Sequence, residues 1–371
     1  MTPKVQRAPS GKMQACCSNT PPAAARRMSD ATSKHAEPHT PYRAPGWLLG
    51  GHAQTIHAAK WLRSPKVAYW RERWETPDYD FIDLDWVDSG EQVLQLDQQD
   101  DTPLIVLFHG LEGSSDSHYA RALMHAVNAN EGRGVVVHFR GCSGEVNRLP
   151  RAYHSGDSAE IDWILRRFRA TRSGPIFVAG ISLGGNALLK WLGEQGAAAQ
   201  QVITRAAAIS APVDLAAAAD VLARGFNQVY TRNFLLTMKA KTLLKMKRYQ
   251  ALCNERRMRA ARTLREFDDV VTAPLHGFNG VDDYYARASS KPYLPAIAIP
   301  TLMVNARNDP FLPARYLPTP AEVSAHVQLE LPDTGGHVGF VSGRFPGNID
   351  WLTQRMLHFF AAGLQASEDI S

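Results

Sequence analysis

Cysteine and long apolar runs are what this 371-residue sequence has least of. Its four cysteines, Cys16, Cys17, Cys142 and Cys253, form no C-x-x-C pair and no regular spacing. That excludes a disulfide framework and a zinc knuckle, and makes a reducing, cytoplasmic setting the expectation. No apolar run reaches the ~18 to 20 residues that a membrane-spanning helix needs, so a soluble chain is expected. Acidic residues are absent before Asp30, whereas Lys4, Arg7, Lys12, Arg26 and Arg27 all precede it. Those five cations account for the whole net charge of +5. The remainder is neutral, which removes the main support for a nucleic-acid partner. The first 27 residues also lack an apolar core segment, and Pro21 with Pro22 interrupts any amphipathic helix, so residues 1–40 read as a disordered tail.

With 44% apolar and 21% charged residues, the rest has the composition of a globular protein. Between Trp47 and Trp86 lie five of the eight tryptophans, and the stretch VAYWRERWETPDYDFIDLDWV alternates apolar with polar residues. Such alternation predicts half-buried antiparallel strands, a hairpin or meander. From Pro103 the texture becomes continuous apolar runs (LIVLFHG, GVVVHFRG, PIFVAGIS, RAAAISAP, IPTLMVNARNDP) that alternate with helical patterns at 117–130, 158–169 and 186–194. Strands buried on both faces and separated by helices predict a mostly parallel, doubly wound α/β sheet. Strand texture stops between Pro212 and Pro295, where a basic helical pattern intervenes. The expected organisation is a core of 41–211 and 296–371 with a helical cap insertion at 212–295. In the last helix, Asn348 is placed to cap, Asp350 sits in the first turn, and Ile349, Leu352, Met356 and Phe360 form an apolar stripe.

The strongest chemical signal is Gly180-Ile181-Ser182-Leu183-Gly184, which closes a strand and opens a helix. Glycines two before and two after the serine suit a turn so sharp that a β-carbon would collide with its neighbours. This is a nucleophile elbow, exposing the Ser182 hydroxyl at a helix N-terminus where the Leu183 N–H can donate to a developing oxyanion. A second donor is expected from the Gly-rich turn after LIVLF, with Leu111 N–H the candidate and His109 holding the turn. Serine needs a base, and the base needs an acid that fixes its tautomer. Asp309, past the strand TLMVNA and rigidified by Pro310 and Pro313, is the acid candidate; Asp333 is its rival, and Asp282 and Asp283 rank lower. His337, in the Gly-rich loop DTGGHVGF, is the base candidate.

These motifs, together with PGWLLGGHAQTIHAA, FHGLEGSSDSHYARAL and FRGCSGEVNRLPRAYHSGDSAEIDW, make residues 41–365 resemble the α/β-hydrolase superfamily, and within it the YheT-like esterases. The resemblance implies an α/β-hydrolase fold, a Ser182, Asp309, His337 triad and carboxylic-ester hydrolysis without metal or organic cofactor. The implied substrate is a small-molecule ester, lipid esters included. An acyltransferase with the same triad and a noncatalytic binding scaffold are the rivals.

Other residues have plainer readings. His52 and His57 are five apart with no Glu as in H-E-x-x-H, so a structural or pocket-lining role is expected rather than a metal site. Cys142 fits a tight turn, Asp157 a helix cap, and the tryptophan group packing rather than an acyl channel. The cations Lys239, Lys241, Lys245, Lys247, Arg248, Arg256, Arg257, Arg259, Arg262 and Arg265 are read as the solvated face of a cap whose apolar face covers the site. Membrane contact through them is the less favoured reading.

Overall fold

The computed structural model describes residues 40–87 and 101–368, so the expected tail lies, apart from Thr40, outside the described residues. Among the described residues, eight strands form one open sheet in the order β1-β2-β4-β3-β5-β6-β7-β8. A hairpin of β1 (Trp70–Glu75) and β2 (Phe81–Val87) joins antiparallel at one edge through β2 and β4 (Arg133–His138). β3 (Leu104–Phe108), β4, β5 (Ile176–Ile181), β6 (Arg205–Ile209), β7 (Thr301–Val304) and β8 (Val327–Glu330) run parallel.

The apolar runs are explained by helices on both faces. Leu104, Val106 and Phe108 of β3 point into a core layer with Ile161 and Ile164 of the helix Ser158–Ala170 and Leu188 and Trp191 of the helix Leu183–Gln195. Ile105 and Leu107 point the other way, toward Leu123 of the helix His118–Ala129 and Leu352, Met356 and Phe360 of the helix Asp350–Glu368. Successive side chains of a strand face opposite layers, so a strand covered on both sides must be apolar throughout. Ile349 departs from the expected stripe: it precedes the last helix and packs with Leu48, Ala58 and Val341. Asn348 Oδ1 accepts from the Asp350 N–H at 3.2 Å.

The hairpin is antiparallel as expected, but its second strand differs from the half-buried expectation. Every residue of β2 is buried, Asp83 and Asp85 included. They are tolerated there because the cross-strand partners Arg73 and Arg71 pair with them through two contacts each, and His138 and Ser115 also bond Asp85. Of the tryptophans in this region, Trp74 and Trp86 pack on Phe168, whereas Trp47, Trp61 and Trp70 are exposed.

We label α1 Gly51–Ile56, α2 His118–Ala129, α3 Ser158–Ala170, α4 Leu183–Gln195, α5 Leu215–Leu222, α6 Gln228–Met246, α7 Val281–Ala288 and α8 Asp350–Glu368. Between β6 and β7 the chain forms α5, α6, α7 and shorter turns. Leu235 of α6 and Leu264, Phe267 and Val270 cluster with Phe311 of the β7 loop, and Leu111 of the β3 loop packs beside them. The helical segment therefore lies on loops at the carboxyl end of the sheet. Arg256, Arg257, Arg259 and Arg262 are exposed as expected, but not all of the lysines read as solvated are. Lys245 is buried and donates to the carbonyls of Pro150 and Arg151, and Lys241 pairs with Glu112. Residues one turn apart share a helix face, and here that face looks inward. No helix among the described residues is long and apolar enough to cross a membrane.

Candidate active site

Ser182 occupies the turn between β5 and α4 with φ 51° and ψ −117°, a conformation L-residues rarely adopt. The neighbouring glycines make it possible. A β-carbon on Gly184 would stand 2.5 Å from the Phe108 carbonyl oxygen and 2.6 Å from that of His109. One on Gly180 would stand 2.6 Å from the Gly184 oxygen. The elbow is thus a place where three segments of backbone touch, and Ser182 N–H is tied to the Ile209 carbonyl at 2.8 Å.

Asp309, His337 and Ser182, far apart in sequence, meet in one hydrogen-bonded line. His337 Nδ1 lies 2.9 Å from Asp309 Oδ2, and Nε2 lies 2.9 Å from Ser182 Oγ. An ionised carboxylate can only accept, so Nδ1 carries the ring proton and Nε2 faces the hydroxyl as acceptor. Asp309 is 2% exposed. Its second oxygen accepts from the Phe311 N–H at 2.7 Å, and the Phe311 ring stacks on His337 with centroids 3.9 Å apart. Asp333 is remote from this line, nearly fully exposed beside Arg307. Asp282 and Asp283 pair with Arg265 and Arg287 on the helical segment.

The two oxyanion candidates are free to act. Leu183 N–H opens α4, where no intrahelical acceptor exists. In the β3 loop, Gly110 N–H donates to the Tyr119 hydroxyl and Glu112 N–H to the Tyr153 hydroxyl, both at 2.9 Å. Leu111 N–H, between them, has no acceptor among the described residues. His109 is fully buried; its Nε2 accepts from Phe139 N–H, and its Nδ1 lies 2.7 Å from the Gly110 carbonyl. Burial, aided by nearby His138, pushes its pKa down to about 3, so it stays neutral and fastens the turn to the end of β4.

An apolar cavity of about 150 Å³ opens on Ser182. Leu183 of α4 and Leu215, Ala219, Leu222, Phe234, Met238 and Leu264 of the helical segment are among its lining residues. Polar groups on its wall include Glu112, Tyr153, Lys241 and Lys245. Burial pushes the Cys142 thiol up to about 11, which leaves it protonated in its turn behind the wall.

One reading of local sequence needs correction, one narrows to its structural alternative, and one group of residues escapes local reasoning. Asp157 stands at the start of α3, but its carboxylate does not cap the helix; Arg151 takes it at 2.6 and 2.7 Å. In GGHAQTIHAA, His52 stacks on Tyr230 of α6 and His57 meets the Pro346 carbonyl, so neither lines the cavity. The residues of α1 that serve the site are Gln54 and Thr55. Gln54 Oε1 accepts from Gly335 N–H and from the Asn308 amide, and Thr55 Oγ1 accepts from the His337 N–H at 2.8 Å. They hold the acid and histidine loops together. The available signal was a Gln-Thr pair among small and apolar residues, since buried polar groups require partners.

The family model for the alpha/beta hydrolase fold matches residues 103–343. The candidate esterase YheT of Escherichia coli is 37% identical over 318 residues, covering 85% of this chain and 91% of the relative. The human protein named Phospholipase ABHD3 is 28% identical over 350 residues, covering 92% and 85% respectively. A Saccharomyces cerevisiae protein named Monoacylglycerol lipase is 26% identical over 275 residues, covering 71% and 60%.

Proposed function

The chain belongs to the α/β-hydrolase fold family, and from that premise we propose that it is a serine hydrolase of carboxylic esters, lipid esters included. The observation that carries the proposal is the Asp309–His337–Ser182 line at an apolar cavity that Leu111 and Leu183 also line, their N–H groups having no acceptor among the described residues. Ser182 Oγ attacks the ester carbonyl as its proton passes to His337 Nε2, and Asp309 stabilises the imidazolium. Leu111 and Leu183 N–H groups hold the tetrahedral oxyanion, the term that mutagenesis of such sites finds worth about 10²- to 10³-fold per donor. Collapse expels the alcohol, which takes the proton from His337 and leaves an acyl-enzyme. Water then attacks that ester with His337 again as base, releasing the carboxylic acid.

The segment 212–295 acts as a cap whose apolar face shelters the acyl chain, and the esterase, phospholipase and lipase names of the relatives are consistent with an acyl substrate. Cys142 and Cys253 are free thiols, which suits a reducing, cytoplasmic setting. No metal or organic cofactor enters this sequence of steps. The test is labelling with a fluorophosphonate probe alongside a screen of p-nitrophenyl esters and phospholipids over a range of chain lengths. Stoichiometric labelling lost in Ser182→Ala, with ester turnover lost in parallel, is expected. A folded wild-type protein that neither labels nor turns over any ester refutes the reading in favour of a noncatalytic scaffold.

A further inference from the structure

Glu112 follows the oxyanion candidate Leu111 and has φ 55°, a left-handed conformation that a glutamate adopts only when its surroundings impose it. What imposes it is a set of contacts from two other parts of the chain. The Tyr153 hydroxyl accepts from Glu112 N–H and donates to Glu112 Oε1, each at 2.9 Å. Lys241 Nζ of α6 lies 2.9 Å from both carboxylate oxygens. One turn further along α6, Lys245 Nζ donates to the carbonyls of Pro150 and Arg151, in the loop that carries Tyr153. The contacts close a ring: α6, through Lys241, to Glu112; Glu112 to Tyr153; and the Tyr153 loop back to α6 through Lys245.

Leu111 N–H, next to Glu112 in this turn, is the one amide of residues 110–112 with no acceptor among the described residues. We propose that Glu112 and Lys241 are positioning residues for the oxyanion hole: the ion pair fixes the left-handed turn that aims Leu111 N–H at the substrate oxygen, and so makes the competence of the hole depend on α6 being seated. The pair lies on the cavity wall, Glu112 nearly buried and Lys241 about one-third exposed, so neither ion is left without a partner in a dry site. Seating α6 and aiming the donor are then one event. With α6 displaced, Glu112 loses one of its two anchors, and the positive φ relaxes toward the more common conformations. A donor displaced by an ångström stabilises the transition state far less while hardly touching ground-state binding, which involves the cavity's apolar wall.

This inference rests on the serine-hydrolase reading, and the experiment separates the two. Glu112→Gln, Lys241→Met, the double variant and Lys241→Arg are compared with wild type for kcat and KM on p-nitrophenyl butyrate. Fluorophosphonate stoichiometry counts the folded, active fraction of each. The expected result for either single variant is a fall in kcat of about 10- to 100-fold with KM within about twofold. The double variant should be no worse than the poorer single one, because both break the same contact, and Lys241→Arg should recover most of the loss. Full wild-type kcat in either single variant overturns the proposal. So do losses that multiply in the double variant, losses confined to KM, or losses that vanish once rates are divided by the labelled fraction, which would mean a purely structural pair. A wild type that shows neither labelling nor turnover brings down the underlying function as well.

Discussion

Asp309→Asn is a sharp test of the site because both carboxylate oxygens are committed as acceptors, to Phe311 N–H and to His337 Nδ1. An amide of the same shape has one acceptor and one donor, so one of those contacts must change. If the amide nitrogen faces Phe311, a buried N–H meets a donor, at a cost of about 1–3 kcal/mol in stability. If it faces His337, the Phe311 bond survives and the amide donates to Nδ1. The ring proton then moves to Nε2, which donates to Ser182 and has no lone pair left to accept the hydroxyl proton. The second orientation leaves nothing unsatisfied in the free enzyme and is therefore the ground state. The variant should melt close to wild type and lose about 10⁴-fold in kcat, the size of a wrong-tautomer effect in a serine triad. That factor corresponds to about 5 kcal/mol of transition-state stabilisation. Asp333→Asn removes only an exposed contact 3.6 Å from Arg307, a pair worth well under about 1 kcal/mol, and should leave kcat unchanged. Steady-state kinetics on p-nitrophenyl butyrate with parallel thermal melts decide the matter. A reversal, with Asp333→Asn crippled and Asp309→Asn active, refutes the acid assignment and the tautomer argument together.

Gly184→Ala forces a β-carbon onto the Phe108 and His109 carbonyl oxygens at the crossing of three backbone segments, so it should destabilise by about 1–3 kcal/mol or more and abolish probe labelling; a soluble, fully labelled variant would contradict the elbow packing. Arg140 is 4% exposed and binds Asp78, Asp80 and Glu160. Arg140→Met strands buried carboxylates and should cost about 3–5 kcal/mol in urea unfolding, and a loss below 1 kcal/mol would show that the network is not a stabilising one. His109 stays neutral in the fold with its pKa pushed down to about 3, first by burial and then by His138, whereas the unfolded chain protonates near ~6.5. The unfolded state then binds more protons below that pH, so stability should fall as pH drops from ~6.5 toward 3, by at most about 1.4 kcal/mol per pH unit from this group. Denaturation from pH 7 to 4 should show a shallower slope in His109→Gln, and identical slopes would count against the buried neutral ring.

What the sequence made legible, and what it hid, divides along one physical line. The strands from β3 onward and the turn at Ser182 are local statements. A both-faces-buried strand must be apolar along its whole length, and a strand that turns at once into a helix must carry glycines, so neighbours in sequence suffice to read them. The hairpin strand β2 was misread because Asp83 and Asp85 look like a solvent face by alternation alone, and only the arginines across the strand pair and His138 on β4 explain their burial. Asp157 was misread for a similar reason: its position at a helix start is local, but Arg151 offers a stronger, charged partner than the orphan N–H groups. The same holds for the face of α6. A lysine on an amphipathic helix reads as solvated unless something inside can take its charge, and for Lys241 and Lys245 that something is Glu112 and two loop carbonyls, about 130 and 95 residues away. Periodicity assigns the helix but not which polar residue of its stripe faces a buried acceptor. Positions where polar side chains defeat the local rule are therefore where the candidate site is assembled: Gln54 and Thr55 join the Asp309 loop to the His337 loop, and Lys241 joins the helical segment to the turn at Leu111 and Glu112. The local rules build the sheet edge, and their exceptions carry the long-range contacts that set the distances between Ser182, His337, Asp309 and Leu111.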